Sequence, residues 1–298
     1  MDTHYLNYIL TIAEKRNMTK AAQELFVSQS SLSQYLSKLE QELGTPLFLR
    51  AKGELVPTAA GDLYISAAKQ VISIKNQLYK DISALENKGN ITIGTTSQFG
   101  LGIMAQVIPK FRIEYPDYTI EITESSNQAL VKLLLDGQID FGLMAANRID
   151  VFPEGTAEVL REEELWLAVP ASHPFCQNDP PATISHQAIT EYFSEDNFIL
   201  AKPGSTIRNL SDEIFQTYHF SPSASCETNN IPMALKMAAS GAGIAFLAES
   251  CITLSLPLCY FRLDPPMHRL NVLARRKSLE IGPAEECFCS YIRSHFHR

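Results

Sequence analysis

The stretch between residues 19 and 61 constrains the fold of this chain more than any other part of the sequence. It contains two short helical segments joined by a tight connection, and the first segment is predicted from Thr19 to Leu25. Ser28 is suited to begin the second helix, because a serine hydroxyl accepts a hydrogen bond from a free N–H group of the first turn. Four leucines fall on one side of that helix and predict the face that packs against a core: Leu32, Leu36, Leu39 and Leu43.

The other face of the second helix carries short polar side chains and few acids. Such side chains suit contacts with base edges and phosphates. A basic hairpin, or wing, is predicted next from Leu49 to Pro57, with Gly53 at its tip and with Arg50 and Lys52 as its cations. Two helices and a turn also occur in proteins that never bind DNA, so the wing is the observation that favours DNA binding. The polar face consists of Gln29, Ser30, Ser33, Gln34 and Lys38.

This region resembles the LysR-type transcriptional regulators, whose N-terminal domain is a winged helix-turn-helix. The matching residues stand at fixed offsets and are Ala21, Ala22, Leu25, Ser28, Gln29, Leu32, Ser33, Leu39, Glu40, Leu43, Gly44, Pro46, Leu47, Phe48, Arg50, Thr58, Ala60 and Gly61. The resemblance implies an all-α DNA-binding domain with a β wing over residues 1–58, and double-stranded operator DNA as its partner. The residues expected to contact DNA are Thr19, Ser28, Gln29, Ser30, Ser33, Gln34, Lys38, Arg50 and Lys52.

A long linker helix is predicted over residues 59–88, where Thr58 can cap the first turn and no proline interrupts the chain. Apolar residues recur every seven positions along it, a pattern typical of helices that pack against another helix. The helix either packs on its own domain or joins two copies of the chain, and the resemblance favours a homodimer or a dimer of dimers. The residues expected at that interface are Tyr64, Val71, Leu78 and Leu85.

From residue 89 onward, strand-like and helix-like segments alternate, which favours parallel sheets in an α/β domain. The order suits two subdomains with a cleft between them. This part also resembles the C-terminal region of LysR-type regulators, through the segments at 91–94 (ITIG), 135–137 (LDG) and 243–245 (GIA). That resemblance implies a two-lobed effector-binding domain over residues 89–298, with the fold of type 2 periplasmic binding proteins. The predicted lobes are lobe I, residues 89–161 and 267–298, and lobe II, residues 162–266.

Polar side chains follow several predicted strands of this domain. Ligands of open α/β sheets bind at the carboxyl ends of strands and at the N-termini of the helices that follow. Short hydroxyl and amide side chains there suit a small polar or anionic effector, and the resemblance implies effector binding at the same place. For any single residue, ordinary helix capping is the competing interpretation. The candidate effector-binding residues are Thr96, Ser97, Gln98, Asn127, Thr206 and Asn229.

The net charge of −8 is unevenly distributed, because residues 1–89 carry +1 and the remainder carries −9. DNA binding by a nearly neutral domain depends on individually placed residues, and an anionic effector must be attracted locally by an acidic one. The N-terminus shows no signal-peptide pattern and no apolar run is long enough to span a membrane. A cytoplasmic protein without a membrane partner is therefore expected.

No catalytic, cofactor or metal site is predicted, and the chain is not expected to be an enzyme. The glycines at 241–243 follow a predicted helix and precede a strand, the reverse of the order in a dinucleotide-binding loop. The histidines are scattered and the six cysteines include no CxxC pair, so free thiols are expected. Two alternatives stay open, a cysteine-based redox-sensing regulator and a solute-binding protein. Ser205 and Thr206, where a redox-sensing relative has cysteine, disfavour the first alternative, and residues 1–60 disfavour the second.

Overall fold

A computed structural model describes residues 3–51, 53–84, 88–96, 98–177 and 179–296 of the chain. The chain divides into two compact units. The first contains Met1–Gly89 together with Asp136–Gln138, and the second contains Asn90–Leu135 together with Ile139–Arg298.

The first unit begins with three helices and a two-stranded wing. The helices are α1 (His4–Lys15), α2 (Met18–Glu24) and α3 (Gln29–Leu43), and the strands are β1 (Phe48–Ala51) and β2 (Glu54–Pro57). The two strands pair in antiparallel register from Phe48↔Pro57 to Ala51↔Glu54. This arrangement confirms the predicted winged helix-turn-helix, and its buried core includes Ile9, Ile12, Ala21, Leu32, Leu36 and Leu47.

Local signals set the ends of α3. The Ser31 N–H donates to Ser28 Oγ over 3.0 Å, so Ser28 caps the helix as predicted. Gly44 ends it with a φ of +68°, a left-handed conformation that costs glycine little. The predicted apolar stripe is shorter than expected. Leu32 and Leu36 are buried and Leu39 is half-buried, but Leu43 is 45% exposed because the last turn of α3 extends beyond the core.

Helix α4 (Ala59–Ala84) follows the wing, and the Gly61 N–H donates to Thr58 Oγ1 over 3.0 Å, which confirms the predicted cap. The first turns of α4 pack against the core of the winged helix-turn-helix, and Tyr64 is one of the half-buried side chains there. Farther along the helix four apolar side chains are between 37% and 60% exposed. They are Val71, Ile74, Leu78 and Ile82, and the predicted interface residue Leu85 lies outside the described residues.

The second unit alternates strands and helices. Its strands are β3 (Gly89–Thr95), β4 (Tyr118–Glu124), β5 (Phe141–Ala146), β6 (Ala157–Pro170), β7 (Thr183–Ser185), β8 (Asn197–Leu200), β9 (Ser223–Glu227), β10 (Ile244–Ala248), β11 (Leu258–Asp264) and β12 (His268–Arg275). Its helices are α5 (Gln98–Glu114), α6 (Asn127–Leu135), α7 (Pro174–Gln177), α8 (His186–Tyr192), α9 (Thr206–Thr217), α10 (Ile231–Ala239) and α11 (Pro283–Phe296).

These strands form the two lobes of the predicted α/β domain. In lobe I the order is β4-β3-β5-β12-β6, and in lobe II it continues from β6 through β10 and β8 to β9. The pairs β3–β5, β8–β10 and β8–β9 are parallel, whereas β12 is antiparallel to both β5 and β6. Strand β6 belongs to both lobes, because Ala157–Glu164 pairs with β12 and Leu165–Ala168 pairs with β10.

From the sequence, α5 is predicted to begin at Gly102 and β6 at Glu164, and both elements begin earlier. Helix α5 begins at Gln98, although Gly100 lowers helix propensity. Glycine is required there, because a Cβ atom on Gly100 would lie 1.8 Å from Thr95 Oγ1. Strand β6 begins at Ala157, since pairing with β12 extends it through a charged stretch that carries no strand pattern of its own.

Candidate effector cleft and DNA-contact face

The polar face of α3 is exposed as the sequence indicates. Gln29, Ser30, Gln34 and Lys38 are exposed and Ser33 is half-buried. The Ser28 hydroxyl, besides capping α3, lies 2.9 Å from the Ser30 hydroxyl. The long side chains of this face are therefore its most accessible polar groups.

The wing and the first helix of the motif supply the remaining predicted DNA-contact residues. Arg50 is exposed on β1, and Thr19 is exposed in the first turn of α2. Gly53 turns the hairpin with a φ of +85°, as its predicted place at the tip requires. Lys52 lies outside the described residues.

The second unit contains a cleft of about 460 Å³. Its wall combines short polar side chains with an apolar side formed by Ile199, Ile207, Ile231 and Phe246. Volume and composition suit a small organic ligand that has both a polar and an apolar part. The polar and charged side chains of the wall are Thr96, Glu124, Ser125, Ser126, Asn127, Gln128, Ser205, Thr206, Thr228, Asn229 and Arg269.

Two helix N-termini contribute to this wall. The first residues of α6 and the first residues of α9 both line the cleft. Ser126 Oγ accepts from the Ala129 N–H at 3.3 Å, and Ser205 Oγ accepts from the Arg208 N–H at 3.2 Å, so both serines are caps. Because the first N–H groups of a helix have no acceptor within the helix, two such ends in one cleft favour an anionic group.

A buried cation lies in the same wall. Arg269 Nε and Nη2 donate to one carboxylate oxygen of Glu163, over 3.0 and 2.9 Å. The side chain of Arg269 is 8% exposed and that of Glu163 is fully buried. Within the described part of the chain, Arg269 Nη1 has no hydrogen-bond acceptor, and an anion in the cleft can supply one.

Arg269 is not among the candidates predicted from the sequence, because it lies within β12 and follows no strand end. The facing residues Arg269 and Glu163 are direct partners in the β12–β6 register, and that pairing was not evident from the sequence. Another arginine, Arg208 in the first turn of α9, already forms two ion pairs within the second unit. It donates to Asp212, to Glu227 and to the Ala201 carbonyl oxygen, so its role is structural.

Four of the predicted effector residues lie together in the cleft wall: Thr96, Asn127, Thr206 and Asn229. Asn127 Oδ1 is buried and has no partner among the described residues. Asn229 Oδ1 accepts from the Lys202 N–H at 3.0 Å, which orients that side chain. Ser97 and the side chain of Gln98 lie outside what the structure describes.

Burial makes several of the cysteine thiols less acidic. All six are free. Burial raises the pKa of Cys251, and it raises the pKa of Cys289 to about 12. Burial, together with the neighbouring Cys259 thiol, raises the pKa of Cys176 to about 12. A raised pKa lowers the thiolate fraction and thus the rate of reaction with oxidants.

The described residues include no cluster of three or more His, Cys, Asp or Glu side chains that could hold a metal ion. Within the same residues, no helix has the length and apolar composition needed to cross a bilayer.

Two family models match the chain. The model described as "Bacterial regulatory helix-turn-helix protein, lysR family" matches residues 3–62, and "LysR substrate binding domain" matches residues 84–297. This chain belongs to the LysR family of DNA-binding transcriptional regulators. The family members it matches are transcriptional regulators and not enzymes, and both halves of the chain have the family's fold.

Individual relatives cover most of the chain. The "Probable RuBisCO transcriptional regulator" of Trieres chinensis is 30% identical over 264 residues, which cover 85% of this LysR-family chain and 82% of the relative. The "Uncharacterized HTH-type transcriptional regulator YybE" of Bacillus subtilis (strain 168) is 26% identical over 302 residues, 99% of each chain. The fold is similar to that of full-length CbnR solved with its target DNA, with a TM-score of 0.59, 20% identity and 99% of each chain covered.

Proposed function

We propose that this LysR-family regulator binds operator DNA through residues 1–58 and is controlled by a small anionic metabolite bound between its two C-terminal lobes. The observation that carries the second part is the convergence of two helix N-termini and the buried Arg269 on one cleft. The domain is acidic, so the attraction for an anion must arise from this local arrangement. The four predicted residues of the cleft wall, Thr96, Asn127, Thr206 and Asn229, then contact the metabolite, and we retain Ser97 and Gln98 as candidates.

For DNA, we propose that the exposed face of α3 contacts base edges and that the wing contacts phosphates. Gln29 and Gln34 are exposed amides, and an amide can form paired hydrogen bonds to adenine. Arg50 and Lys52 serve as phosphate contacts, as do Lys38 and the hydroxyls of the helix-turn-helix. CbnR was solved in complex with its target DNA, and the matching fold supports the same use of this unit here. We also propose that the protein acts in the cytoplasm and that its function as a regulator involves no catalytic step.

We also propose that α4 joins two copies of the chain, with a dimer of dimers as the larger assembly. Its exposed apolar side chains at 71, 74, 78 and 82 support this, because a helix with such a stripe is stabilised by a partner. Tyr64 and Leu85 complete the predicted seven-residue repeat. Leu78→Asp would place an unpaired charge in the interface, so we expect dissociation in light scattering at micromolar concentration. Leu254→Asp introduces the same charge at a leucine of the second unit that is 90% exposed, and it serves as the control. An unchanged assembly for Leu78→Asp would place the interface elsewhere.

The effector proposal is tested by a thermal-shift screen of organic acids and amino acids on the full-length chain. A ligand at about 100 times its dissociation constant adds about 2.7 kcal/mol to the free energy of unfolding. Thr206→Val removes a cleft hydroxyl with little change of shape, and we expect it to weaken the shift. Thr217→Val, at the other end of α9 and outside the cleft wall, is the matched control. A ligand that shifts both variants and the wild type equally binds elsewhere.

The redox-sensing alternative makes a different prediction. Burial raises the pKa of Cys176, Cys251, Cys287 and Cys289, which lowers the thiolate fraction of these four. We therefore expect operator binding to be insensitive to hydrogen peroxide at concentrations that leave DNA intact. Loss of operator binding that a thiol reductant restores would favour that alternative.

A further inference from the structure

A small recess adjoins the effector cleft in lobe I. We call it the polar recess, because Thr95 and Asn271 line it and both are more than nine-tenths buried. It shares Thr96, Ala145 and Arg269 with the wall of the cleft, so the two spaces are neighbours. Its remaining wall is formed by Gly100, Leu143 and Met144.

The two polar side chains of the recess have unused hydrogen-bonding atoms. Neither Thr95 Oγ1 nor Asn271 Nδ2 has a partner within the described ranges. Leaving a buried donor or acceptor unsatisfied is costly, so buried polar side chains are almost always paired in proteins. An amide nitrogen only donates, whereas a threonine hydroxyl both donates and accepts. A hydroxyl group satisfies both, because it can accept from Asn271 Nδ2 and donate to Thr95 Oγ1.

The size of the recess limits what enters it. Its volume is about 10 Å³, close to the minimum that a single water-sized group requires. A carboxylate, a phosphate or a methyl-bearing chain is larger than this, but one oxygen substituent fits. Arg269 lines both spaces, so a carboxylate that lies against Arg269 would also be close to the recess.

We propose that the polar recess is a specificity subsite of the effector cleft and that it takes the hydroxyl group of a small hydroxycarboxylic acid. The carboxylate of the acid lies against Arg269 and the N-termini of α6 and α9, and its carbon skeleton lies along the apolar side of the cleft. This inference rests on the proposed function of the cleft. It narrows the effector from any small anion to an acid with a hydroxyl next to its carboxylate.

The test uses matched acids that differ only by one hydroxyl: propionate with lactate, succinate with malate, and phenylacetate with mandelate. Dissociation constants are measured by calorimetry on the full-length chain. We expect the hydroxy acid to bind at least about tenfold more tightly than its partner in at least one pair, since the recess supplies two new hydrogen bonds. In Thr95→Val and in Asn271→Leu, the ratio of the two dissociation constants within that pair should approach one. The affinity for the acid without the hydroxyl should stay unchanged.

Two controls separate a subsite from a general effect on the lobe. Thr95→Ser retains the hydroxyl and should retain the preference. Thr156→Val changes another buried threonine, whose hydroxyl donates to the Pro153 carbonyl oxygen outside the cleft, and should also retain it. Thr156 is absent from the cleft wall, so it reports only on lobe stability.

Several outcomes would overturn the inference. Equal affinities within every pair that binds the wild-type chain would remove the subsite and leave the effector cleft in place. A preference that persists in both Thr95→Val and Asn271→Leu would place the hydroxyl elsewhere. If none of the six acids binds, the hydroxy-acid assignment fails, and the wider screen of acids decides separately whether the cleft binds an effector.

Discussion

Helix α3 and the effector cleft both present polar side chains. Those of α3 project into solvent, whereas those of the cleft are held in place by other groups of the protein. On α3 the amides of Gln29 and Gln34 and the ammonium group of Lys38 project from an exposed helix face. In the cleft, Asn229 is held by a backbone N–H and Arg269 by a fully buried carboxylate. The first surface suits a large partner that supplies its own acceptors and donors, whereas the second is arranged before a small ligand arrives.

This difference determines what a substitution does in each region. An exposed charge such as that of Arg50 is already solvated, so its removal affects binding and leaves stability nearly unchanged. A buried pair such as Arg269 and Glu163 contributes to ligand binding and to stability. Removing either partner would leave the other as a buried, unpaired charge. Function and stability are therefore separable on the DNA-contact face and coupled in the cleft.

The largest expected effect tests that coupling. Arg269→Met should lower the free energy of unfolding by about 3–5 kcal/mol, because Glu163 is then buried without its partner. Trp166, the only tryptophan of the chain, lies in β6 and reports urea-induced unfolding of the second unit by fluorescence. Replacing both residues, with Glu163→Leu, should recover most of the loss. If Arg269→Met lowers the free energy of unfolding no more than Arg50→Ala does, stability and function are not coupled in the cleft as we propose.

A smaller effect, on DNA binding, is expected for a substitution on α3. Gln29→Ala should weaken binding to the selected operator by about 1–3 kcal/mol and binding to random DNA much less, because a base-edge contact is lost. Gln41→Ala, also exposed on α3 but near its C-terminal end, is the matched control and should change neither. Fluorescence anisotropy with both DNAs measures the two affinities. Equal losses on operator and random DNA would assign Gln29 to the phosphates.

The smallest effect concerns the wing. Arg50→Ala should weaken binding to all DNA sequences alike and reduce the salt dependence of the binding constant by about one unit. Arg16→Ala is the control, since Arg16 is also exposed but lies 3.7 Å from Glu54, which already compensates its charge. Titrations at several salt concentrations give the slopes. A salt slope that Arg16→Ala reduces and Arg50→Ala leaves intact would move the phosphate contact away from β1.

The local structure of the DNA-binding unit was predictable from the sequence. Ser28 and Thr58 each accept from an N–H three residues farther along, and the Gly44 N–H donates to carbonyls three and four residues back, so these helix ends follow from short-range contacts. The polar clusters at strand ends were also predictable, because helices begin close to the carboxyl ends of parallel strands and these ends meet at one edge of a sheet. Thr96, Asn127, Thr206 and Asn229 come together as that rule indicates.

Tertiary structure alone brings the charged side chain of Arg269 into the cleft wall and forms the polar recess. Arg269 and Glu163 are 106 positions apart, and only the register between β12 and β6 places them opposite each other. A shift of that register by one residue would place the two side chains on opposite faces of the sheet. Thr95 and Asn271 likewise belong to different strands. The sequence by itself determined the elements and the family, because these depend on neighbours along the chain, and the fold decided which distant side chains share one buried site.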